Sequence, residues 1–322
     1  MSDAAQRRPG LVTFGETMGL VTAVEPGPLE LARHITYGIG GAESNVAIGA
    51  ARLGSTVTWF GRVGRDATGD LIERRLRAEL AEAIVIRDDS FTGLMVKHRR
   101  FANRLHVDYH RAGSAGSHLT PDDVPTAVLE AAGILHVTGI TPALSDTARE
   151  TVLHAVRTAR AAGVTVCLDV NYRSKLWEPD AARPVLRELV TLADIVFAGP
   201  AEGALVLGLG HEQRAERLAA ALSDLGPAEV IIKDGARGCT ATIDTIAHVV
   251  PALDVPLVDP VGAGDAFVAG YLAERLDGQD ARVRLQTAVT AGALAVTVAG
   301  DCEGLPTRAD VRAAVCDQDV TR

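Results

Sequence analysis

The sequence has few cysteines, and it lacks long apolar runs. The four cysteines are scattered and form no C-x-x-C pair, so neither a zinc site nor a disulfide framework is predicted. The first ten residues contain no apolar signal segment, and no apolar run approaches the roughly 20 residues that span a bilayer. From these absences we expect a cytoplasmic protein with reduced thiols and no membrane contact.

An excess of positive charge is also missing. The 322-residue chain has a net charge of −9 and a pI near 5.5, which argues against a nucleic-acid-binding surface because phosphate backbones attract clustered Lys and Arg. The Walker pattern G-x-x-x-x-G-K-[ST], the G-x-S-x-G nucleophile turn and the H-E-x-x-H metal motif are absent. The sequence therefore does not indicate a P-loop enzyme, a serine hydrolase or a zinc protease. Because the net charge is negative, an anionic ligand would need a local pocket of positive charge.

What the chain does contain is a regular alternation of short apolar runs with helical patterns. The runs predicted as buried strands are residues 11–14, 134–137, 164–170, 194–198 and 229–233. Helical spacing is clear in residues 146–162 and 180–192. This order predicts an α/β protein with a mainly parallel sheet covered by helices on both faces. Ligands of such sheets bind beyond the carboxyl ends of the strands.

Two segments break this alternation and predict a lid. Residues 92–110 have the pattern of a hairpin that turns around Ala102-Asn103-Arg104. A second extended piece lies between residues 19 and 37 and is interrupted by Pro26-Gly27-Pro28. Together they predict a small antiparallel sheet that covers the main sheet. Because no long linker is present, we expect lid and core to form one folding unit.

The strongest chemical signal is the turn Asp259-Pro-Val-Gly-Ala-Gly-Asp265, which leads into a helical pattern over residues 266–276. Glycines let several backbone N–H groups converge on one point, and a helix N-terminus adds partial positive charge, so the turn suits a phosphoryl group. Asp265 could accept the proton of an attacking hydroxyl at the same point. Alternatively, the turn is a plain loop in which Asp265 caps the helix.

A second glycine cluster, Gly38-Ile-Gly-Gly-Ala-Glu-Ser-Asn45, precedes a helical stretch. Gly40 and Gly41 permit close approach of a ligand, and Asn45 offers a donor and an acceptor for hydroxyl groups. The spacing is not G-x-G-x-x-G and no clear strand stands before it, which argues against a dinucleotide site. The alternative interpretation is a simple turn at the entry of the helix.

Polar residues follow three of the predicted strands. Asp169, Asn171, Arg173 and Lys175 alternate along one segment, so we expect them to point to one side, with Arg173 as a fork for a carboxylate or phosphate. Glu202 follows the next strand and could hold Mg²⁺. The last strand ends at Lys233, and Gly235 and Gly238 follow it, where all three could meet ATP phosphates. Each segment also has a structural interpretation. The segment after Asp169 could be a surface loop, Glu202 could start a helix, and the residues after Lys233 could form a hairpin turn.

Taken in this order, these five elements resemble the PfkB (ribokinase-like) carbohydrate kinases over residues 1–322. The resemblance implies a single kinase domain with a three-layer α/β/α ribokinase-like core and a β-sheet lid near residues 17–37 and 91–112. It implies ATP as the phosphoryl donor and Mg²⁺ as a cofactor, and it leaves open whether a monovalent cation is required. In such kinases the Gly262-Ala263-Gly264 amides would form the anion hole, Asp265 the base, and Asp259 would belong to the cofactor side.

Within that family the chain is most similar to the 2-keto-3-deoxygluconate kinases. The residues that carry this likeness are 169–177, the lid pair Tyr109 and Arg111, and the tail Gly300-Asp-Cys-Glu-Gly-Leu-Pro306. The resemblance implies that Tyr109, Arg111 and Arg173 meet the keto acid. Three positions depart from the usual pattern, where Gly199 replaces Asn, Pro260 replaces Thr and Met95 replaces Tyr.

Two other functions remain open from the sequence. One is a kinase for a neutral sugar of the fructose or ribose type on the same scaffold. The other is a sugar- or nucleotide-binding sensor without catalysis. A lid sheet has edges to cover, which favours a homodimer that pairs lid to lid.

Overall fold

The computed structural model describes residues 10–80, 82–101, 104–210 and 213–320. Its larger sheet has nine strands, and seven neighbouring strands run parallel. The remaining two form an antiparallel edge. In spatial order the strands are β13 (Ile246–Val250), β12 (Cys239–Ile243), β11 (Glu229–Lys233), β10 (Ile195–Ala198), β9 (Thr165–Asp169), β8 (Ile134–Thr138), β1 (Leu11–Phe14), β4 (Val57–Gly64) and β5 (Glu82–Asp88).

Helices cover both faces of this sheet, because successive side chains of each buried strand point to opposite sides. Leu11 of β1 packs into one core and Val12 into the other. The first core contains helices α1 (Ala42–Arg52), α2 (Ala67–Glu79), α8 (Ala263–Leu276) and α9 (Ala281–Ala295). The second contains α3 (Thr126–Glu130), α4 (Asp146–Ala161), α5 (Pro179–Leu192), α6 (Pro200–Leu207) and α7 (Ala215–Ser223), while α10 (Arg308–Val320) packs on α9. The predicted three-layer α/β/α fold is confirmed.

The smaller sheet is the predicted lid. Its strands, in the order β3-β2-β6-β7, are β3 (Ile35–Gly40), β2 (Met18–Ala23), β6 (Leu94–Phe101) and β7 (Arg104–His110). The hairpin of β6 and β7 is confirmed, although its turn residues Ala102 and Asn103 lie outside the described residues. The expectation of a fully antiparallel lid is wrong, since β2 and β6 run parallel. Both strands leave the carboxyl end of a parallel core strand, β1 or β5, and therefore point the same way.

The strand β3 ends at Gly40, and only Gly41 separates it from α1. The expectation that no strand precedes the second glycine cluster is therefore wrong. Its six residues include two glycines, and its first three residues are exposed, so the local sequence has neither the alternation nor the composition of a buried strand.

Two expectations about the whole chain can be compared with the described residues. Cys167, Cys239 and Cys302 are buried free thiols, while the side chain of Cys316 lies outside the described part. In the described ranges, no helix has the length and apolarity needed to cross a membrane.

Candidate active site

A cavity of about 1440 Å³ lies where the carboxyl ends of the core strands face the lid. Most of the residues predicted for the site line it, and they come from both sheets. They are Gly41, Asn45, Tyr109, Arg111, Asn171, Arg173, Glu202, Lys233, Gly262, Gly264 and Asp265. Five further predicted residues do not line it, namely Gly40, Gly235, Gly238, Asp259 and Ala263.

Asp265 is buried in the cavity wall with 9% of its surface exposed. It is the third residue of α8, whose N-cap is Gly262, so the interpretation of Asp265 as the helix cap is wrong. Asn45 Nδ2 donates a hydrogen bond of 2.8 Å to Asp265 Oδ2. Burial raises the pKa of Asp265 to about 7 against the opposing effect of Asn45. A carboxylate with a pKa near neutrality is suited to general-base chemistry.

A second buried carboxylate, Asp301, also lines the cavity, and the sequence predictions did not include it. Burial raises the pKa of Asp301 to about 6. Gly40 was predicted to contact substrate, but a Cβ there would overlap with Asp301 Oδ2. The glycine therefore makes room for this carboxylate. The only sequence signal for Asp301 was its place in the tail that resembles the keto-acid kinases.

The glycine-rich turn brings backbone into close contact with the tail. Gly262 has a φ of +78°, and a Cβ on it would overlap with the carbonyl oxygen of Asp301. Only glycine tolerates both conditions without strain. Gly262 and Gly264 line the cavity, and the first N–H groups of α8 have no partner within the helix. The start of α8 can therefore accept the oxygens of an anion.

Lys233 lies beside this turn, and its ammonium is paired. Its Nζ donates to both carboxylate oxygens of Asp169, at 2.8 and 2.7 Å. Burial disfavours the charged form, but Asp169 and then Glu202 outweigh it and raise the pKa of Lys233. A Cβ on Gly264 would lie 3.5 Å from the same Nζ. A fixed positive charge therefore stands next to the proposed anion site.

Glu202 shapes the cavity wall on the same side. Its carboxylate accepts the backbone N–H of Gly199 at 2.5 Å and that of Tyr172 at 2.9 Å. Burial, followed by the charge of Asp169, raises the pKa of Glu202. The described residues contain no group of three or more His, Cys, Asp or Glu side chains that could hold a metal. The carboxylate of Glu202 nevertheless fits Mg²⁺, because this ion usually takes one or two protein carboxylates and completes its shell with waters and substrate phosphates.

At the lid end of the cavity, the predicted arginines differ in their surroundings. Arg111 pairs with the buried Glu16 at 2.5 Å, and the hydroxyl of Ser114 donates to the same carboxylate. The charge of Arg111 is therefore already balanced, by a residue that the predictions missed. Arg173 is exposed, and the described part of the chain offers its guanidinium group no hydrogen-bond or ion-pair partner.

The loop after β9 is tied to the lid. Lys175 Nζ donates to the carbonyl oxygen of Val107 at 3.0 Å and lies 5.6 Å from the ring centroid of Tyr109. The expectation of simple alternation in this loop is wrong, because Asn171 has a φ of +36° and Tyr172 lines the cavity as well as Arg173. The left-handed residue turns the chain so that consecutive side chains face the cavity.

The sequence model of the pfkB family carbohydrate kinases matches residues 8–308. The chain belongs to this family. It is 39% identical to the 2-dehydro-3-deoxygluconokinase of Bacillus subtilis over 92% of both chains. It is 34% identical to the 2-dehydro-3-deoxygalactonokinase of Haloferax volcanii over 90% of this chain and 92% of that one.

Solved structures agree with this assignment. The PfkB protein from Polaromonas sp. JS666 is 36% identical, with a TM-score of 0.85 over 95% of this chain and 99% of that one. A double mutant of the fructokinase from Vibrio cholerae O395, bound to fructose, ADP and potassium ion, is 26% identical. The match has a TM-score of 0.83 and covers 96% of this chain and 99% of that one. The prediction of a ribokinase-like carbohydrate kinase is confirmed.

Proposed function

We propose that this kinase transfers the γ-phosphoryl group of ATP to the terminal primary hydroxyl of 2-keto-3-deoxygluconate, which gives the 6-phosphate. The observation that supports this substrate is Arg173, an exposed residue of the cavity that contains Asp265, whose guanidinium group has no partner among the described residues. A neutral sugar offers such a cation only uncharged oxygens, whereas a keto acid supplies a carboxylate that balances its charge and fits the guanidinium fork. The names of the two 2-dehydro-3-deoxy sugar-acid kinases point the same way.

Asp265 is the general base of the proposed reaction. Its carboxylate accepts the proton of the hydroxyl while the hydroxyl oxygen forms a bond to the γ-phosphorus, and the bond to the ADP oxygen breaks with its electron pair. Asn45 holds the carboxylate through its 2.8 Å hydrogen bond. The amides of the turn 262–264 stabilise the charge on the phosphoryl oxygens.

In this proposal the nucleotide binds on the side of the cavity that Lys233 and Glu202 line, away from the lid end where Arg173 binds the sugar acid. Lys233 would face the phosphates, and Glu202 would hold Mg²⁺ directly or through water. Mg²⁺ supplies charge neutralisation and orients the phosphate oxygens when bound. Gly235 and Gly238 remain predicted nucleotide contacts outside the cavity wall. The free thiols of the described cysteines fit a cytoplasmic enzyme.

The substrate assignment is tested with Arg173→Ala and with Arg157→Ala as a control, since Arg157 is an exposed α4 arginine paired with Glu188. Loss of a hydrogen-bonded charge costs about 1.5–3 kcal/mol, so the KM for the keto acid should rise roughly 10- to 100-fold. The kcat/KM for fructose should not change. An equal loss with fructose and the keto acid would instead support the neutral-sugar kinase.

The sugar itself is identified by the ADP that forms from ATP across a panel of sugars. The panel includes both 2-keto-3-deoxygluconate and 2-keto-3-deoxygalactonate, along with fructose and ribose. Sugar-dependent ADP formation separates an enzyme from a binding sensor. Because Asp265 and the whole turn 262–264 are present, we expect catalysis.

We also propose a homodimer through the lid. The edge strands of the lid are β3 and β7, and β3 exposes Ile35 at 61% and Tyr37 at 48%. Apolar side chains on an open sheet edge favour pairing with a second copy. Sedimentation equilibrium measures the mass in solution, and a monomer at micromolar concentration would contradict the proposal.

A further inference from the structure

Strand β6 of the lid sends two cations toward the start of the glycine-rich turn. Lys97 and Arg99 are two residues apart, so they lie on the same face of the strand. Lys97 is 3% exposed, and its Nζ lies 2.6 Å from Asp259 Oδ2. Arg99 donates to the carbonyl oxygen of Val258 at 2.6 Å. The lid thus contacts the turn directly as well as enclosing the cavity.

Asp259 is 2% exposed and joins two segments of backbone. Its carboxylate accepts the N–H of Val261 at 3.3 Å and the N–H of Gly300 at 3.2 Å. Lys97 repeats this connection, because its Nζ also donates to the carbonyl oxygen of Gly300 at 3.2 Å. One buried ion pair therefore connects the lid, the turn that ends at Asp265 and the loop that carries Asp301.

The charge balance of this pair matters for the reaction. Arg99 also approaches Asp259, with its Nη2 3.7 Å from Oδ1, but Lys97 is the nearer cation. Burying a carboxylate without its nearer counter-ion is costly, so loss of Lys97 would shift the turn or draw in another cation. A shift of the turn would also disturb the loop that carries Asp301, because Gly262 lies so close to the carbonyl oxygen of Asp301 that an added Cβ would overlap with it. An unbalanced negative charge would also repel the phosphoryl group.

We propose that Lys97 is a positioning residue for phosphoryl transfer. Its ammonium is a built-in cation that holds Asp259, and through it the turn 259–265, in the reactive arrangement while the lid lies over the cavity. The proposal rests on the role proposed above for the turn 262–265. At this carboxylate the wild-type chain has its own cation and takes up no free monovalent ion.

The test is Lys97→Ala, which leaves Asp259 with space for a small cation. Displacement of the turn by about 1 Å should lower kcat roughly 10²-fold, and the KM for the sugar should change much less. Ammonium, methylammonium or potassium chloride should restore part of kcat. Tetramethylammonium chloride at the same ionic strength should not, because this cation is too large and cannot donate. Arg100→Ala removes an exposed charge from the same strand and should behave as wild type.

An unchanged kcat in a folded Lys97→Ala enzyme, with wild-type circular dichroism and melting, would overturn the proposal. A reduced kcat that no small cation restores would also overturn it, since the lysine would then act only in packing. If the variant does not fold, Lys97→Met with Asp259→Asn removes both buried charges. That double variant should fold with a reduced kcat, and a wild-type kcat would refute the proposal. Inactivity of the wild-type enzyme on the sugar panel would instead refute the proposed function.

Discussion

The pH dependence of turnover tests the central residue, because Asp265 must lose its own proton before it can accept one from the sugar. Burial raises its pKa to about 7. The deprotonated fraction is then roughly 9% at pH 6 and roughly 91% at pH 8. We therefore expect kcat to increase about tenfold between these two values and to level off above pH 8.

The raised pKa of Asp265 also predicts that the free energy of unfolding decreases as the pH rises, whereas kcat increases. The folded-state pKa of about 7 lies above the ordinary value of 3.8, so the folded protein binds this proton more tightly than the unfolded chain. The contribution to folding is fully present below pH 4 and is lost as the pH rises through 7. The difference corresponds to about 4 kcal/mol at most. Asp265→Asn removes the buried charge and keeps an oxygen that can accept from Asn45, so it should raise the melting temperature at pH 8 more than at pH 5.

Initial rates are measured from pH 5.5 to 9 with saturating sugar and Mg²⁺-ATP, and ADP is quantified by chromatography after acid quench. Asp265→Asn should lower kcat roughly 10²- to 10⁴-fold. Asp301→Asn serves as the matched variant, because the charge of Asp301 contributes to the raised pKa of Asp265. Removal of the Asp301 charge should lower the pKa of Asp265 and shift the rising part of the kcat–pH profile to lower pH, while the titration of ATP stays the same. A flat profile between pH 6 and 8, or near-normal turnover of Asp265→Asn, would refute the reasoning.

Two further substitutions test the walls of the cavity. Gly40→Ala would place a methyl group where Asp301 Oδ2 lies, so it should destabilise the protein by about 1–3 kcal/mol in urea unfolding and lower kcat as well. Unchanged values of both would mean that Asp301 does not occupy this position. Glu202→Gln leaves one of two backbone N–H groups without an acceptor, which should cost about 1–3 kcal/mol. If Glu202 also holds Mg²⁺, the Mg²⁺ concentration for half-maximal rate should rise, whereas an unchanged requirement would leave it only a structural role.

Much of the fold follows from local patterns. Apolar runs such as Leu11–Phe14 are buried on both sides, and their length and composition predict central parallel strands. The glycine-rich turn was informative for the same reason, because its backbone freedom and its place before a helix are local properties. By contrast, only the first half of β3 fell within the predicted extended segment 19–37. Its continuation to Gly40 was not predicted, since two glycines and an exposed first half hide a strand that pairs only within the lid.

The sequence by itself determined the class of fold, the family and the turn that ends at Asp265. Only the tertiary structure decided which charges are balanced. Asn45 and Asp265 are 220 positions apart, and Lys97 reaches Gly300 across 203 positions. Arg111 likewise pairs with Glu16, whereas the guanidinium group of Arg173, the other arginine that lines the cavity, has no partner in the described part of the chain. Pairing and pKa depend on distance and burial in three dimensions, and the spacing of residues along the chain does not contain either quantity.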